Sequence, residues 1–374
     1  MSASRKQLKS NKQAPTSRKK SCLSCSEAKA RCTLERPNCS RCQGRDLVCE
    51  YFTPASHSIS DDSPLVDDPA VLETASGRST FTTLETPPTS ESVQIGSRWL
   101  DALITPPGKI PKHFSSRTVQ HMSRVLKSYA KVLLKDEALP PIVHPFQAVA
   151  PQQPLANCRS LLRTWENKAP GSELLVRETI WREMSRLVEE HHGYDHVTLL
   201  SAFQAYLFYS IHLFFSTDPE SSVMIDTATM INLQELAAAM SLTGLHPPDT
   251  QHTRPTWESW IIAEAKRRTL YTMYLFDNAR NFLHDTTSYI ATELGNLPLP
   301  AGKGLWAASI KETWEIEYNR FVAEWPSGPP RLEDLWPHPS AVVASERRTR
   351  VDRWVETADE FGIFLFAVSS MHDA

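Results

Sequence analysis

Apolar residues recur at helical spacing through the last two thirds of the chain and almost nowhere before it. In ELLVRETIWREMSRLVEE, Leu174, Trp181, Met184 and Val188 share one helix face, and Ser172 stands where it can cap the first turn. Val119, Met122, Leu126, Tyr129 and Leu133 follow a 3-4-3-4 spacing among Arg117, Arg124, Lys127, Lys131 and Lys135, and Pro140-Pro141 ends the segment. Two heptads are short for a coiled coil, so this pattern predicts a surface helix docked on a larger domain. LLSAFQAYLFYSIHLFF (199–215) is apolar almost all round but broken by Ser201, Gln204, Ser210 and His212, which predicts a buried central helix and no membrane partner. Further helices are expected at 227–241, on Ile231, Leu236 and Met240, and at 257–284, 306–325 and 345–370; no run alternates convincingly as a strand. The expectation for 110–374 is therefore an all-α domain with proline-rich turns. Within it Glu264 lies three and four residues before Arg267 and Arg268, a spacing that pairs them for structural rather than catalytic reasons. Trp306 is expected to anchor the core.

Ahead of this domain the pattern changes. Residues 52–109 read as a disordered acidic spacer rich in Ser, Thr and Pro, with seven acids and one Arg between 52 and 97. Inside it DDSPLVDDPAVLE interleaves acids with Leu65, Val66, Val71 and Leu72, the composition of an acidic activation segment, although a plain linker accounts for it more simply. No apolar heptad lies between Tyr51 and Ser97, so a monomer or weak homodimer is expected. The net charge of −3 hides a division: residues 1–51 carry twelve Lys and Arg against four acids, +8, leaving −11 for the rest. A basic end of this kind suits a polyanion. Residues 1–21 form a basic arm whose run RKQLKSNKQAPTSRKK resembles a nuclear import signal, the bland alternative being a solvated arm. Nothing in MSASRKQLKSNK directs the chain to an oxidising compartment, so reduced cysteines are expected.

Six of the seven cysteines fall in CLSCSEAKARCTLERPNCSRCQGRDLVC, with the spacing C-x2-C-x6-C-x6-C-x2-C-x6-C. Adding 17 to 22, 25 and 32 gives 39, 42 and 49, so the stretch is an internal repeat. One tetrahedral zinc takes four ligands; six thiolates serve two zincs only if two sulfurs bridge both metals. A binuclear thiolate cluster is the result this arithmetic favours. Its rivals are a disulfide knot and a single four-sulfur zinc with two spare thiols. Six thiolates and two Zn²⁺ sum to −2, so attraction to phosphate must come from surrounding side chains. The first half supplies Lys29 and Arg31; the same offsets in the second half are Asp46 and Val48. The first half is thus expected to face DNA. On a helix Lys29 and Arg31 point about 200° apart, so one can reach a base edge while the other grips a phosphate.

These residues resemble the fungal zinc binuclear cluster family of transcription factors, and Pro37 matches the family's proline two residues before the fourth cysteine. The resemblance implies two Zn²⁺, with Cys22 and Cys39 bridging, Cys25 and Cys32 completing one zinc, and Cys42 and Cys49 completing the other. It also implies two short helices in a 22–51 module. The helix starting near Cys25 would enter the major groove of a CGG-type half-site in double-stranded DNA, with Lys29 reading bases, Arg31 near the backbone, and Lys19, Lys20 and Arg41 as further basic contacts. Ser26 and Ala28 stand where the family usually places basic residues, which implies fewer contacts. WESWIIAEAKRRTLYTMYLFDNARNFL followed by ELGNLPLPAGKGLW resembles the helical regulatory region, the middle homology region, of such factors. Together these imply a nuclear transcription regulator that activates through the transcription machinery, answers to a small-molecule or protein effector, and controls a biosynthetic gene cluster for secondary metabolites. A zinc-dependent scaffold for protein or RNA is the alternative.

Other chemistry is not legible. There is no GxSxG, P-loop, GxGxxG or HExxH, and 12 glycines in 374 residues leave few close-approach loops, so no enzyme is expected. His192 and His196 share a spacing open to metal ligands but read as surface histidines, and Cys158 as a bystander thiol.

Overall fold

The computed structural model describes residues 22, 25, 28, 30–35, 39–45, 47 and 49 of the cysteine-rich stretch, and then 90–102, 108–135, 138–246 and 254–370. The expectations placed on Lys19, Lys20, Ser26, Lys29, Pro37 and residues 52–89 lie outside the described residues. The chain divides into two compact units, one within Met1–Ser79 and one within Thr80–Ala374.

In the first unit the described helix is α1 (Ser40–Gln43), which starts at Cys39 and buries Cys42. Thr33 steadies its start: its Oγ1 accepts from the Ser40 N–H at 3.0 Å. The 17-residue repeat survives in the backbone. Ala30 N–H donates to Cys25 O at 2.9 Å, and Leu47 N–H, 17 residues on, donates to Cys42 O at 3.0 Å. Of the two expected helices, the one following Cys25 lies largely outside the described residues.

The second unit is helical. Its elements are α2 (Ser90–Ser97), β1 (Pro111–Lys112), α3 (Ser116–Leu133), α4 (Pro145–Val149), α5 (Gln153–Glu166), α6 (Glu173–Glu190), α7 (His196–Phe214), α8 (Pro219–Val223), α9 (Thr227–Leu242), α10 (Trp257–Leu283), β2 (Ser288–Tyr289), α11 (Lys303–Trp306), α12 (Lys311–Glu324), α13 (Ala341–Val355) and α14 (Glu360–Ser370). Short 3-10 turns lie between several of them. α7 is the central helix: Asp195 caps it by accepting from Val197 N–H and Thr198 N–H, and it packs against α3, α5, α9 and α10. It is long and apolar enough to cross a membrane by composition, and 83% of that stretch is buried inside the unit. α3 buries Val119, Met122, Leu126, Tyr129, Ala130 and Leu133 against α7 and α10, so its apolar stripe is covered by its own domain. Val119, Met122, Leu126 and Leu133 each contribute about 1.5–3 kcal/mol of burial.

Several expectations shift. The helical unit begins before residue 110: α2 and the 3-10 turn Arg98–Ala102, assigned to the spacer from composition, pack on α9 and bury Ile95 and Arg98. Arg98 explains why. It donates to Asp277 at 3.2 Å, to Glu293 at 2.6 Å and to the Tyr289 carbonyl at 3.1 Å, and Trp99 N–H donates to Gln234 at 2.6 Å. These partners lie far away in sequence, where a local pattern cannot see them. A two-residue antiparallel ribbon also appears, Pro111 opposite Tyr289 and Lys112 opposite Ser288.

α6 is rotated from the expected face. Val176, Ile180, Met184 and Leu187 are buried while Leu174 is exposed, because Arg177 is tied to Asp218 and Glu220. Ser172 makes no cap; its hydroxyl donates to Ala169 O. The helices expected at 306–325 and 345–370 are each interrupted. The second break, after Val355, sets Asp359 at the start of α14, where it accepts from Gly362 N–H at 2.8 Å and from Arg268 at 2.6 Å.

Arg268 is the centre of the fold's charged core. It is fully buried and reaches Glu264 at 2.8 Å, Asp359, and the carbonyls of Pro141 and Ala301. Glu264 also takes Arg267 at 2.6 Å and Ala301 N–H at 2.9 Å. Trp306 lies under the Arg268 guanidinium, 4.2 Å from it, in a second apolar cluster with Trp260 and Trp314.

Candidate metal centre

Four of the six cysteines, Cys22, Cys25, Cys39 and Cys42, are fully buried, and Cys32 and Cys49 are half-buried around them. Cys22 Sγ lies 3.7 Å from Cys39 Sγ, 3.7 Å from Cys42 Sγ and 3.7 Å from Cys32 Sγ; Cys25 Sγ lies 3.6 Å from Cys39 Sγ. A disulfide needs about 2.0 Å, so these are thiols in contact. A tetrahedron of sulfurs around zinc, with bonds of about 2.3 Å, has edges of about 3.8 Å, so the spacing is that of a metal-thiolate cage.

Two sets of four sulfurs each close to within one metal's reach: Cys22, Cys25, Cys32 and Cys39, and Cys22, Cys39, Cys42 and Cys49. They overlap in Cys22 and Cys39. A single four-sulfur site would give one such set and leave two thiols outside it.

The electrostatics suit a cation. Burial pushes the Cys22 thiol well up and the Cys42 thiol up to about 12, while the Cys42 backbone N–H, directed at Cys39, brings that thiol down to about 6. Packed sulfurs cannot all ionise on their own; metal charge lets them. Two other donors help: Cys39 N–H points to Cys49 Sγ at 3.1 Å, and Arg41 Nη1 lies 3.7 Å from Cys25 Sγ. Arg41 is thus drawn partly towards the cluster, whereas Arg31 is exposed.

Residues 20–58 match the family model of the fungal Zn(2)-Cys(6) binuclear cluster domain. The first unit carries that zinc cluster domain. The six-cysteine cluster takes two Zn²⁺, and the domain is a DNA-binding, zinc-binding module of transcription regulation, a class that is not enzymatic. The chain is also similar to the transcriptional regulator AacuR of Aspergillus aculeatus, 53% identical over 34 residues. That likeness spans 9% of this chain and 9% of the relative. No solved structure matches. The match to the cluster domain ends at residue 58 and so covers none of the helical unit.

Outside the cluster domain, Cys158 is fully buried with its Sγ directed at Ala205 O, 3.7 Å away, and burial raises its thiol well above the ordinary range. It is no nucleophile. His192, read as a surface histidine, is exposed; His196 begins α7 and is half-buried, and it is His191 and Glu235 of α9 that His192 gathers with. Sequence spacing could not show this, because Glu235 joins only through the packing of α9. The helical unit also has a surface cleft of about 520 Å³, whose lining includes His246, Arg331, Asp334, Arg347 and Arg350.

Proposed function

We propose that this protein is a nuclear, sequence-specific transcription regulator in which the cluster domain binds double-stranded DNA and the helical unit controls the transcriptional output. The observation that carries it is the pair of four-sulfur sets sharing Cys22 and Cys39. In this reading those two cysteines bridge the zincs, Cys25 and Cys32 complete one site, and Cys42 and Cys49 complete the other.

The metals hold the shape and the basic side chains meet the DNA. Lys29 reads a CGG-type half-site and Arg31 contacts the backbone, with Lys19, Lys20 and Arg41 adding charge. Arg31 is exposed, as a phosphate contact must be, and the 17-residue backbone repeat supports two matched half-modules, of which the first carries Lys29 and Arg31 where the second has Asp46 and Val48. Ser26 and Ala28, lacking charge, mark where this chain's base preference departs from that of richer relatives. The basic arm of residues 1–21 serves nuclear import and adds affinity.

The acidic spacer gives reach and activates through the transcription machinery. The helical unit acts as the regulatory domain, answering to a small-molecule or protein effector, with its polar cleft the place for a small molecule. The relative's name supports a role in gene regulation, and control of a secondary-metabolite gene cluster is the finer form of the proposal. A monomer or weak homodimer fits an α3 stripe that is spent inside its own domain.

Selection of binding sites from random duplexes by the full chain, with and without a zinc chelator, tests this. The expected result is an enriched CGG-containing motif that disappears with the chelator and weakens in Lys29→Ala. No enriched motif, or one indifferent to both changes, overturns the reading.

A further inference from the structure

We infer that the helical unit holds a metal site of its own, formed by His191, His192 and Glu235, for a borderline divalent cation of the zinc type. It lies outside the cysteine cluster and uses none of its ligands.

The argument starts from a hydrogen bond. His191 is 3% exposed, and its Nδ1 lies 2.5 Å from the Val188 carbonyl. A carbonyl only accepts, so Nδ1 carries the proton and donates. In the neutral ring this leaves Nε2 a bare lone pair. That lone pair faces Glu235, whose Oε1 is 3.8 Å away. Two acceptors so placed repel unless a cation lies between them. Ring-to-backbone donation of this kind is also what orients a metal-ligating histidine and fixes its tautomer.

His192 completes the set. Its ring lies 3.8 Å from that of His191, tilted by 38°, and one ligand atom each from His191, His192 and Glu235 lie within 4.8 Å of one another. Two imidazoles and one carboxylate suit zinc, with a fourth position left to water. The ligands come from different parts of the fold. His191 and His192 form the tight turn between α6 and α7, and Glu235 lies on α9. A bound ion would therefore clamp that turn to α9.

His192 and Glu235 are exposed and can be changed without opening the core. The test is to dialyse the full chain against zinc sulfate, measure zinc per chain by atomic absorption, and follow thermal unfolding of the helical unit with and without added zinc. The expected result is one zinc beyond the two of the cluster, and a zinc-dependent rise in melting temperature. Both are lost in His192→Ala and in Glu235→Gln, while the cluster's two zincs and DNA binding stay. Cys39→Ser should do the reverse, emptying the cluster and leaving the zinc-dependent melting shift. The inference is overturned if the wild-type chain stops at the cluster's two zincs, which means that a proton alone fills the gap. It is equally overturned if either variant keeps the extra ion. Neither outcome disturbs the reading of the cysteine cluster.

Discussion

The protein is held together in two different ways. The cluster domain gathers six sulfurs whose mutual approach makes sense only with metal between them. The helical unit instead buries its own compensated charges: Arg268 between Glu264 and Asp359, and Arg98 between Asp277 and Glu293. One region borrows positive charge from an ion, and the other supplies it from side chains. Structure in the first should depend on metal and vanish with it; structure in the second should be indifferent to the cluster's metal and sensitive to single substitutions at its paired charges.

The largest effect expected from this contrast is at the two shared sulfurs. Cys22→Ser or Cys39→Ser breaks both four-sulfur sets, so both zincs should be lost and specific DNA affinity should fall towards the non-specific level, roughly 1,000-fold or more. Cys25→Ser and Cys49→Ser each break a single set and should cost one zinc. Metal analysis and titration of a selected duplex measure these, and far-UV circular dichroism of the helical unit should hardly change in any of them. Equal zinc loss from all four variants would remove the bridging assignment.

Next comes Arg268→Met. It leaves Asp359 buried without its cation and Glu264 with Arg267 alone, and breaking a buried pair in this way costs about 3–5 kcal/mol. Against the opposing effect of burial, the Arg267 and Arg268 guanidiniums together hold the Glu264 carboxyl below the usual range, so the substitution removes one of its two cations. Chemical unfolding should show the loss in the helical transition while the cluster keeps its two zincs. A variant as stable as wild type would mean that the network is no more than neutral.

These two regions were not equally legible. The cluster's whole logic lies within 28 residues, as spacing and repeat, so counting bonds reached the metal number before any geometry. The helices were visible through their apolar period, and α7 and α10 fall close to the expected places. What escaped depends on distant partners. Arg98 makes α2 part of the domain by reaching Asp277 and Glu293; Arg177 turns α6 by reaching Asp218 and Glu220; Glu235 comes beside His191 and His192 only once α9 packs there. In the two arginine cases one polar side chain decides against the local apolar pattern, because an unpaired buried charge costs more than an exposed leucine such as Leu174.

A smaller, pH-dependent effect separates the regions again. Burial lowers His144 and His212 in the helical unit to about 4 from an ordinary value of 6.5. His144 must stay neutral because its Nδ1 accepts from Phe146 N–H at 3.1 Å. The unfolded chain therefore binds more protons than the folded one between pH 6.5 and about 4. The contribution is fully present above 6.5 and is lost as pH falls through that window, by up to about 3 kcal/mol per histidine. Urea unfolding of the helical unit at steps between pH 7 and 4 should show the decline, and His212→Phe should flatten it. An unchanged slope in that variant would place the acid sensitivity elsewhere.

The smallest effect concerns two arginines that the sequence treats alike. Arg31 is exposed, whereas Arg41 is half-buried with Nη1 3.7 Å from Cys25 Sγ. If Arg31 meets a phosphate, Arg31→Ala should weaken binding across all sequences by a few-fold and lower the slope of log affinity against log salt by about one. Arg41 already leans on the Cys25 sulfur, so less of its charge is left for a phosphate. Its removal should change the salt slope less, and should hasten zinc transfer to a chelator, because the cluster loses a donor that offsets its negative charge. Matched salt titrations and chelator-transfer rates on the two variants distinguish these roles. If Arg41→Ala lowers the salt slope as much as Arg31→Ala and leaves the transfer rate unchanged, Arg41 is a DNA contact alone, and the cluster's charge is offset by its backbone N–H groups without it.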